Sequence, residues 1–430
     1  MANTLITKNR ALFSLIIFIV LYRLGLDFVY INYLSTTFGY MGFGYDFSMT
    51  SVIISWLLLV PLFPVVKKLT YKQCFSSVIL LFLIHLSYIP FTAMVAFSGS
   101  FSSAYIFANT IYWFCLLISM WLLPDFKLKN LKNSHINEVL LLGIAGFFAL
   151  VVLYVSVRYT GLRFTFDLSM VYDMRKEVRE FGMPTLLKYL FAASKVVNPV
   201  LLAYFLTKKR WGWGGFMVFI QFLSFSVNGS KTVFFSTILT VLVFYFYKPK
   251  YLSKLSGLFI GIMFITIVEK ALFDGIFTLS YIVRRVLFLP NQLGYYYFDY
   301  FTLHTPDYFR QGFLRLFGFR SPYMDIDHLI GLAYYGRSDM GANNGLISDA
   351  VTNLGGWGIV VMPLLLTLVL KLLDACSKDI DTRIYMVSSI TIAFILIGSF
   401  LNTALVTHGI LAVCFVLYLL PRNQQTGVYK

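Results

Sequence analysis

The sequence predicts an all-α fold, a polytopic bundle of transmembrane helices, from three observations. First, 59% of its 430 residues are hydrophobic and only 13% are charged, with a mean hydropathy of +0.77, far from the composition of an ordinary soluble domain. Second, runs of about 20 apolar residues recur along the whole length, and a helix needs about that many to cross a ~30 Å hydrocarbon core. Third, every second joint between these runs is basic, the pattern of loops held in the cytoplasm. The chain 1–430 therefore reads as one integral membrane domain.

The first run, 11–31, follows Lys8 and Arg10. It has no small-residue cleavage site and more spans follow, so it is expected to stay as the first helix. Further spans are expected at 47–66, 73–97, 104–123, 138–157, 187–207, 212–227, 231–247, 255–274, 346–370, 384–401 and 405–420, about twelve in all. Lys67, Lys68 and Lys72 follow the second; Lys127, Lys129 and Lys132 the fourth; Lys208, Lys209 and Arg210 the sixth. Lys248, Lys250 and Lys254 follow the eighth, and Lys371, Lys378 and Arg383 flank the joint after the tenth. These joints and both termini are expected on the cytoplasmic side. That leaves a moderate external loop at 158–186 and a long one at 275–345. Asp27 lies within the first span, and Asp46 stands alone in the first external loop. Cys74, Cys115, Cys376 and Cys414 lie in or beside apolar spans without a CxxC, which predicts neither a disulfide framework nor a zinc site.

The two external loops are also basic, against the topology rule, but the kind of base differs. The cytoplasmic set holds 15 Lys and 4 Arg, whereas the other 16 basic positions are 11 Arg and 5 Lys. Either residue serves topology; arginine is the better grip on phosphate or carboxylate, through its planar fork of donors. The external arginines are therefore read as ligand-facing, the alternative being contact with outer-leaflet headgroups. Nucleic-acid binding is disfavoured, because these charges border membrane spans.

The stretch "VYDMRKEVREFG", Val171 to Gly182, shows the pattern most clearly. At ~100° per residue it separates into three stripes. Val171, Met174, Val178 and Phe181 form an apolar one, suited to lying on the membrane or the bundle. Tyr172, Arg175 and Arg179 form a second, and Asp173, Glu177 and Glu180 a third. Lys176 can pair with Asp173 and Glu180. Arg175 and Arg179 have no carboxylate three or four places away and repel each other at i, i+4. They call for an anion from elsewhere, a ligand or a salt bridge from another loop. Arg284 and Arg285 in "SYIVRRVLFLP" repeat the pattern, with no acidic residue within four positions. An ionisable group at membrane depth marks a functional site by default, with snorkelling as the alternative.

"VYDMR" in an external loop, then "NGSKTVFFSTILTVLVFY", "YIVRRVLFLPNQLGYYYFDYF" and "MGANNGLISDAVTNLGGWGIVV" together resemble the bacterial O-antigen polymerases, the Wzy-type oligosaccharide repeat-unit polymerases. The resemblance covers roughly 170–360 by motif and the whole chain by topology. It implies a GT-C-like glycosyltransferase of the inner membrane, multi-pass, with its active site facing the periplasm and no metal or other cofactor. Its substrates would be undecaprenyl-pyrophosphate-linked glycans, the growing chain passing to the terminal sugar of a new lipid-linked unit. Membrane lipids, a chain-length regulator and a flippase of the same pathway are the implied partners. The family's functional arginines map onto Arg175 and onto Arg284 or Arg285; Arg158, Arg163 and Arg337 have no motif match.

Chemistry independent of the resemblance agrees with it. Charge developing on a pyrophosphate leaving group can be met by preorganised arginines, and no DxD or DDxxD cluster stands at a membrane face to hold a metal instead. The acceptor hydroxyl needs a base. External candidates are Asp299, His304, Asp325, Asp327 and His328, with Asp299, His328 and Asp327 the first choices, although each has a structural alternative. Lys231 in "SVNGSKT" is a phosphate candidate in what also reads as a plain turn. Asn343 and Asn344 in "GANNGLISD" suit sugar hydroxyls or a helix cap. "YYYFDYF", Tyr295 to Phe301, suits sugar stacking but equally an interfacial belt. Arg310, Arg315 and Arg320 with interleaved Phe and Leu suggest an amphipathic segment on the outer leaflet. A lipid-linked oligosaccharide flippase would instead want charges lining a cavity and two similar halves, and no internal repeat is evident. An O-antigen ligase would look similar, differing in its acceptor.

Overall fold

The computed structural model of the chain describes residues 2–129, 134–167 and 170–422, with side chains from Phe13 onward except at 134, 135, 172, 179 and 232. In chain order the helices are α1 (Phe13–Met41), α2 (Met49–Lys72), α3 (Phe75–Phe97), α4 (Ser103–Leu122), α5 (Ile136–Thr160), α6 (Val171–Glu180), α7 (Thr185–Thr207), α8 (Trp211–Asn228), α9 (Lys231–Phe246), α10 (Pro249–Phe273), α11 (Leu279–Phe288, running on as Leu289–Leu303), α12 (Ile326–Tyr335), α13 (Ile347–Cys376), α14 (Thr382–Gly398), α15 (Leu401–Val406) and α16 (Ile410–Leu419). No strand occurs among the described residues. Eight of these, α1 to α5, α7, α10 and α13, are long and apolar enough to cross a membrane. The chain is a polytopic helical membrane protein.

A helix stands at each of the twelve expected places, but four differ from a regular span. α8 opens with "WGWGG", which dilutes its apolar run, and α9, α14 and α16 are shorter apolar helices. The helices expected over 384–401 and 405–420 are separated by an irregular passage that holds only the short helix α15. α14 ends at Gly398 and α16 begins only at Ile410, after Gly409 at φ +77. Gly409 packs so closely on Ala193 of α7 that a side chain would not fit there.

The segment 275–345, expected as a long loop, is largely helical. Arg284, Arg285, Asn291 and Gln292 interrupt its hydrophobic run and hide α11 from a hydropathy scan. Its middle is inserted into the bundle. Asn291 Nδ2 donates to the Ser87 carbonyl of α3 at 3.1 Å, and Tyr105 Oη of α4 donates to the Asn291 carbonyl at 3.0 Å.

α3 is the central helix. The whole of its apolar window is buried, and α1, α2, α13 and α14 pack around it. In lipid the packing must come from close fit and internal hydrogen bonds rather than from water exclusion. Gly25 of α1 supplies the fit at α10, where a Cβ would press on Met263. Arg23 supplies the bonds. It is fully buried, pairs with Asp27, and donates to Thr92 Oγ1 (3.0 Å), Thr92 O (2.9 Å) and Ser55 Oγ (3.0 Å), joining α1, α2 and α3.

The connections meet in two groups. In one, Asp46 N donates to Phe97 O (2.9 Å), Gln292 to Met41 O (2.8 Å), Thr165 N to Ser226 Oγ (2.9 Å) and Gly345 N to Ile397 O (2.7 Å). In the other, Ser76 N donates to Asp374 (2.7 Å), Lys371 pairs with Asp125 (2.6 Å), Arg210 pairs with Glu138, and Tyr418 Oη donates to Lys129 O (2.8 Å). The first group holds the ends expected outside, the second the lysine-rich joints.

Candidate active site

A polar cavity lies in the first group of connections, under the segment 305–345. It encloses about 200 Å³ and is lined by Tyr297, Asp307, Asp327, Asn343, Asn344, Asn402 and His408, with Ser399 and Thr403. Tyr297 and His408, 111 positions apart in sequence, both line it because the chain leaves the helical conformation at 341–346 and again on either side of the short helix α15, at 399–400 and 407–409.

Those two passages hold each other. A Cβ at Gly345 would run into the carbonyls of Leu396 and Ser399, so only glycine lets the loop cross α14's end. Leu346 follows at φ +52, a strained setting for a branched side chain that the packing must impose. Asn344 does not cap α13. Its buried amide donates to Pro290 O and Ser348 Oγ, both at 2.8 Å, fixing the loop to α11. Asp349 is buried and accepts from Asn353 Nδ2 (2.7 Å) and the Leu401 backbone N–H (2.6 Å). Asp307 is also buried; it accepts from Gln311 N at 2.8 Å, and its other oxygen lies 4.0 Å from Arg310. Asp327 sits beside Gly341 and the amide of Asn343, its own carbonyl taking Ala342 N at 3.0 Å.

On the other side of α11, next to Tyr297, is an aromatic cluster around Arg284. Tyr296 stacks on Tyr334 (centroids 4.3 Å apart, planes at 8°) and meets Tyr335 edge-on at 5.7 Å. Arg284 is 91% buried, since only 9% of it is exposed, and lies over Phe38 at 4.6 Å. Its Nε, the hydroxyl of Tyr335 and the carbonyl of Gln292 are buried without partners. Burial, and then Arg285, lower the pKa of Arg284 from its usual value. Its other nitrogens reach Met41 Sδ at 3.4 Å and Ser280 Oγ at 3.5 Å, and no carboxylate pairs with it among the described residues. Arg285 is exposed and leans on Tyr281 at 5.3 Å.

A third patch joins α6 to the cavity. Val171 and Met174 are buried as their stripe requires, Val171 with Phe225 and Val233 and under Gly229. Arg175 stays exposed and acts electrostatically on Lys195 of α7, which in turn acts on His408 at the cavity wall. Lys231 is exposed in the turn that packs on α6.

The structure sorts the arginines by partner. Arg163 bonds Glu177 at 2.7 Å and Arg337 bonds Asp339 at 2.9 Å. Arg175, Arg284 and Arg285 have no carboxylate partner among the described residues. The side chains of Tyr172 and Arg179 lie outside the described ones.

The three proposed base residues are not gathered. Asp327 lines the cavity. Asp299 is on the aromatic side, where Tyr334 Oη donates to it at 2.6 Å. Burial, and then that bond, push the Tyr334 phenol well above its ordinary value. His328 holds the Ser338 carbonyl at 2.8 Å. Of the amides, Asn343 is exposed at the cavity and Asn344 is committed to the scaffold. No group of three or more His, Cys, Asp or Glu able to hold a metal occurs among the described residues.

Sequence reasoning missed Lys195, Asp307, Asn402 and His408. Lys195 carried a usable signal, a charge near the middle of an apolar span. His408 carried none, because the break before α16 is made by tertiary packing on Ala193.

No protein-family model, no curated protein and no solved structure matches this chain.

Proposed function

We propose that this chain is an O-antigen polymerase, a GT-C-like glycosyltransferase of the bacterial inner membrane working at the periplasmic face. The chain crosses about twelve times, with α11 dipping into the bundle from outside and both termini in the cytoplasm. The observation that carries the reading is the polar cavity flanked by cations without carboxylate partners among the described residues, Arg175 and Lys195 on one side and Arg284 across α11. Carboxylates, amides and an imidazole suit sugar hydroxyls, and guanidinium groups, that of Arg284 buried and that of Arg175 exposed, suit a pyrophosphate.

The reaction is the transfer of a glycan from a polyprenyl pyrophosphate to the terminal hydroxyl of a new lipid-linked unit. Arg284 and Arg175 hold the phosphates, whose charge grows as the glycosyl bond breaks. The cavity holds the acceptor sugar. Aromatic faces of Tyr296, Tyr334 and Tyr335 border the arginine side and offer stacking surface. No step assigned to the protein needs a divalent ion, because the cationic side chains supply the neutralising charge. A chain-length regulator and a flippase would act beside it.

The test is the lipopolysaccharide of cells lacking this chain, resolved on a gel. Polymerase loss leaves core bearing a single repeat unit. Bare core would point to a flippase or a ligase and reject the proposal.

A further inference from the structure

Among the described residues His408 is the one imidazole lining the cavity. Its Nε2 lies 3.1 Å from Ser399 Oγ, and Nδ1 has no partner among the described residues. Two carboxylates, Asp307 and Asp327, share the cavity with it. Asp307 accepts a backbone N–H through one oxygen, while its other oxygen is buried 4.0 Å from Arg310 with no hydrogen-bond partner among the described residues; Asn344 is locked to Pro290 and Ser348, and Asn343 and Asn402 are amides. Both are competitors for the role, Asp327 lying beside Gly341.

We propose that His408 is the general base of the transfer, a role that rests on the polymerase reading above. In the reactive tautomer of this proposal Nε2–H donates to Ser399 Oγ, which leaves the lone pair on Nδ1. Nδ1 takes the proton of the acceptor sugar hydroxyl as that oxygen forms its bond to the anomeric carbon of the donor. The bond from that carbon to the lipid pyrophosphate breaks, and its electron pair leaves on the phosphate oxygen. The imidazolium then returns its proton to water.

The charged groups facing His408 are Lys195 of α7 and, across the cavity, Asp307 and Asp327; Arg175 of α6 faces Lys195. Burial, and then the Lys195 ammonium, lower the pKa of His408 below its ordinary value. The ring therefore stays neutral at neutral pH, the form a base requires. Lys195 is a positioning residue: it touches no reacting atom and sets the protonation of His408. Replacing it by methionine leaves the burial and removes the opposing charge, so the His408 pKa rises.

The experiment uses the full chain purified into vesicles of phosphatidylethanolamine and phosphatidylglycerol. Its substrate is the polyprenyl-pyrophosphate oligosaccharide extracted from cells lacking this protein. His408→Gln is expected to lower kcat about 100-fold or more with little change in KM, the scale and signature of a lost base. Lys195→Met is expected to move the acid limb of the kcat profile to higher pH, and it decides the matter if His408→Gln does not fold. Wild-type kcat in His408→Gln, or an unmoved acid limb in Lys195→Met, overturns the assignment. A wild-type protein that forms no polymer rejects instead the polymerase reading beneath it.

Discussion

Asp349 accepts the backbone N–H of Leu401 at 2.6 Å, tying the first turn of α13 to the start of α15. This one bond closes the passage that carries Ser399, Asn402 and His408 to the cavity. Asp349→Ala removes two acceptor bonds from a buried carboxylate, and about 1.5–3 kcal/mol is typical for each bond to a charged group. The expected result is a markedly lower unfolding temperature in detergent. Asp349→Asn keeps one acceptor oxygen and is expected to fall between the two. An alanine variant as stable as wild type would contradict the role given to this bond.

Arg23 and Asp27 form a buried pair, and Nε and Nη2 of Arg23 donate three further bonds. Asp27→Leu strands a charge inside the bundle and is expected to cost about 3–5 kcal/mol, because breaking a buried pair costs more than the pair contributes. Adding Arg23→Met to it is expected to recover most of the loss. Thermal unfolding of the two variants checks this, and a double variant no better than the single one would show that Arg23 matters through packing alone.

Arg284→Lys and Arg175→Lys keep the charge and lose the fork. At normal protein levels each is expected to cut polymerisation at least tenfold, since a lost transition-state donor is worth roughly 3 kcal/mol. The readout is the length distribution of surface glycan on a gel. Wild-type ladders from both lysine variants would mean that these arginines serve the lipid surface.

The eight long spans were legible because about 20 apolar residues in a row can do little else. The stripes of α6 were legible for the same reason at smaller scale: Val171 and Met174 repeat with the helix and are buried. α11 was not. Its inserted middle carries Asn291 and Gln292, whose cost in hydropathy is met by Ser87, Tyr105 and Met41 in distant helices. The site was half legible. Arg175 and Arg284 stood out by their missing carboxylates, a local property. His408 and Asp307 owe their place to chain breaks and long-range contacts that leave no trace in spacing.

Two introduced cysteines test the sidedness. In a variant without native cysteines, Ser100→Cys is expected to react with an impermeant maleimide in intact cells, and Ser253→Cys only after lysis. Both positions are exposed, at the α3–α4 joint and in the first turn of α10. The reverse pattern would invert the topology and remove the periplasmic site.

The central claim is tested most directly by polymerisation with purified components. The full chain in vesicles, given polyprenyl-pyrophosphate-linked repeat units and excess EDTA, is predicted to yield a ladder of lipid-linked products by mass spectrometry, with free polyprenyl pyrophosphate released at each step. A protein that leaves the units unjoined, or joins them only after Mg²⁺ or Mn²⁺ is restored, would contradict the account.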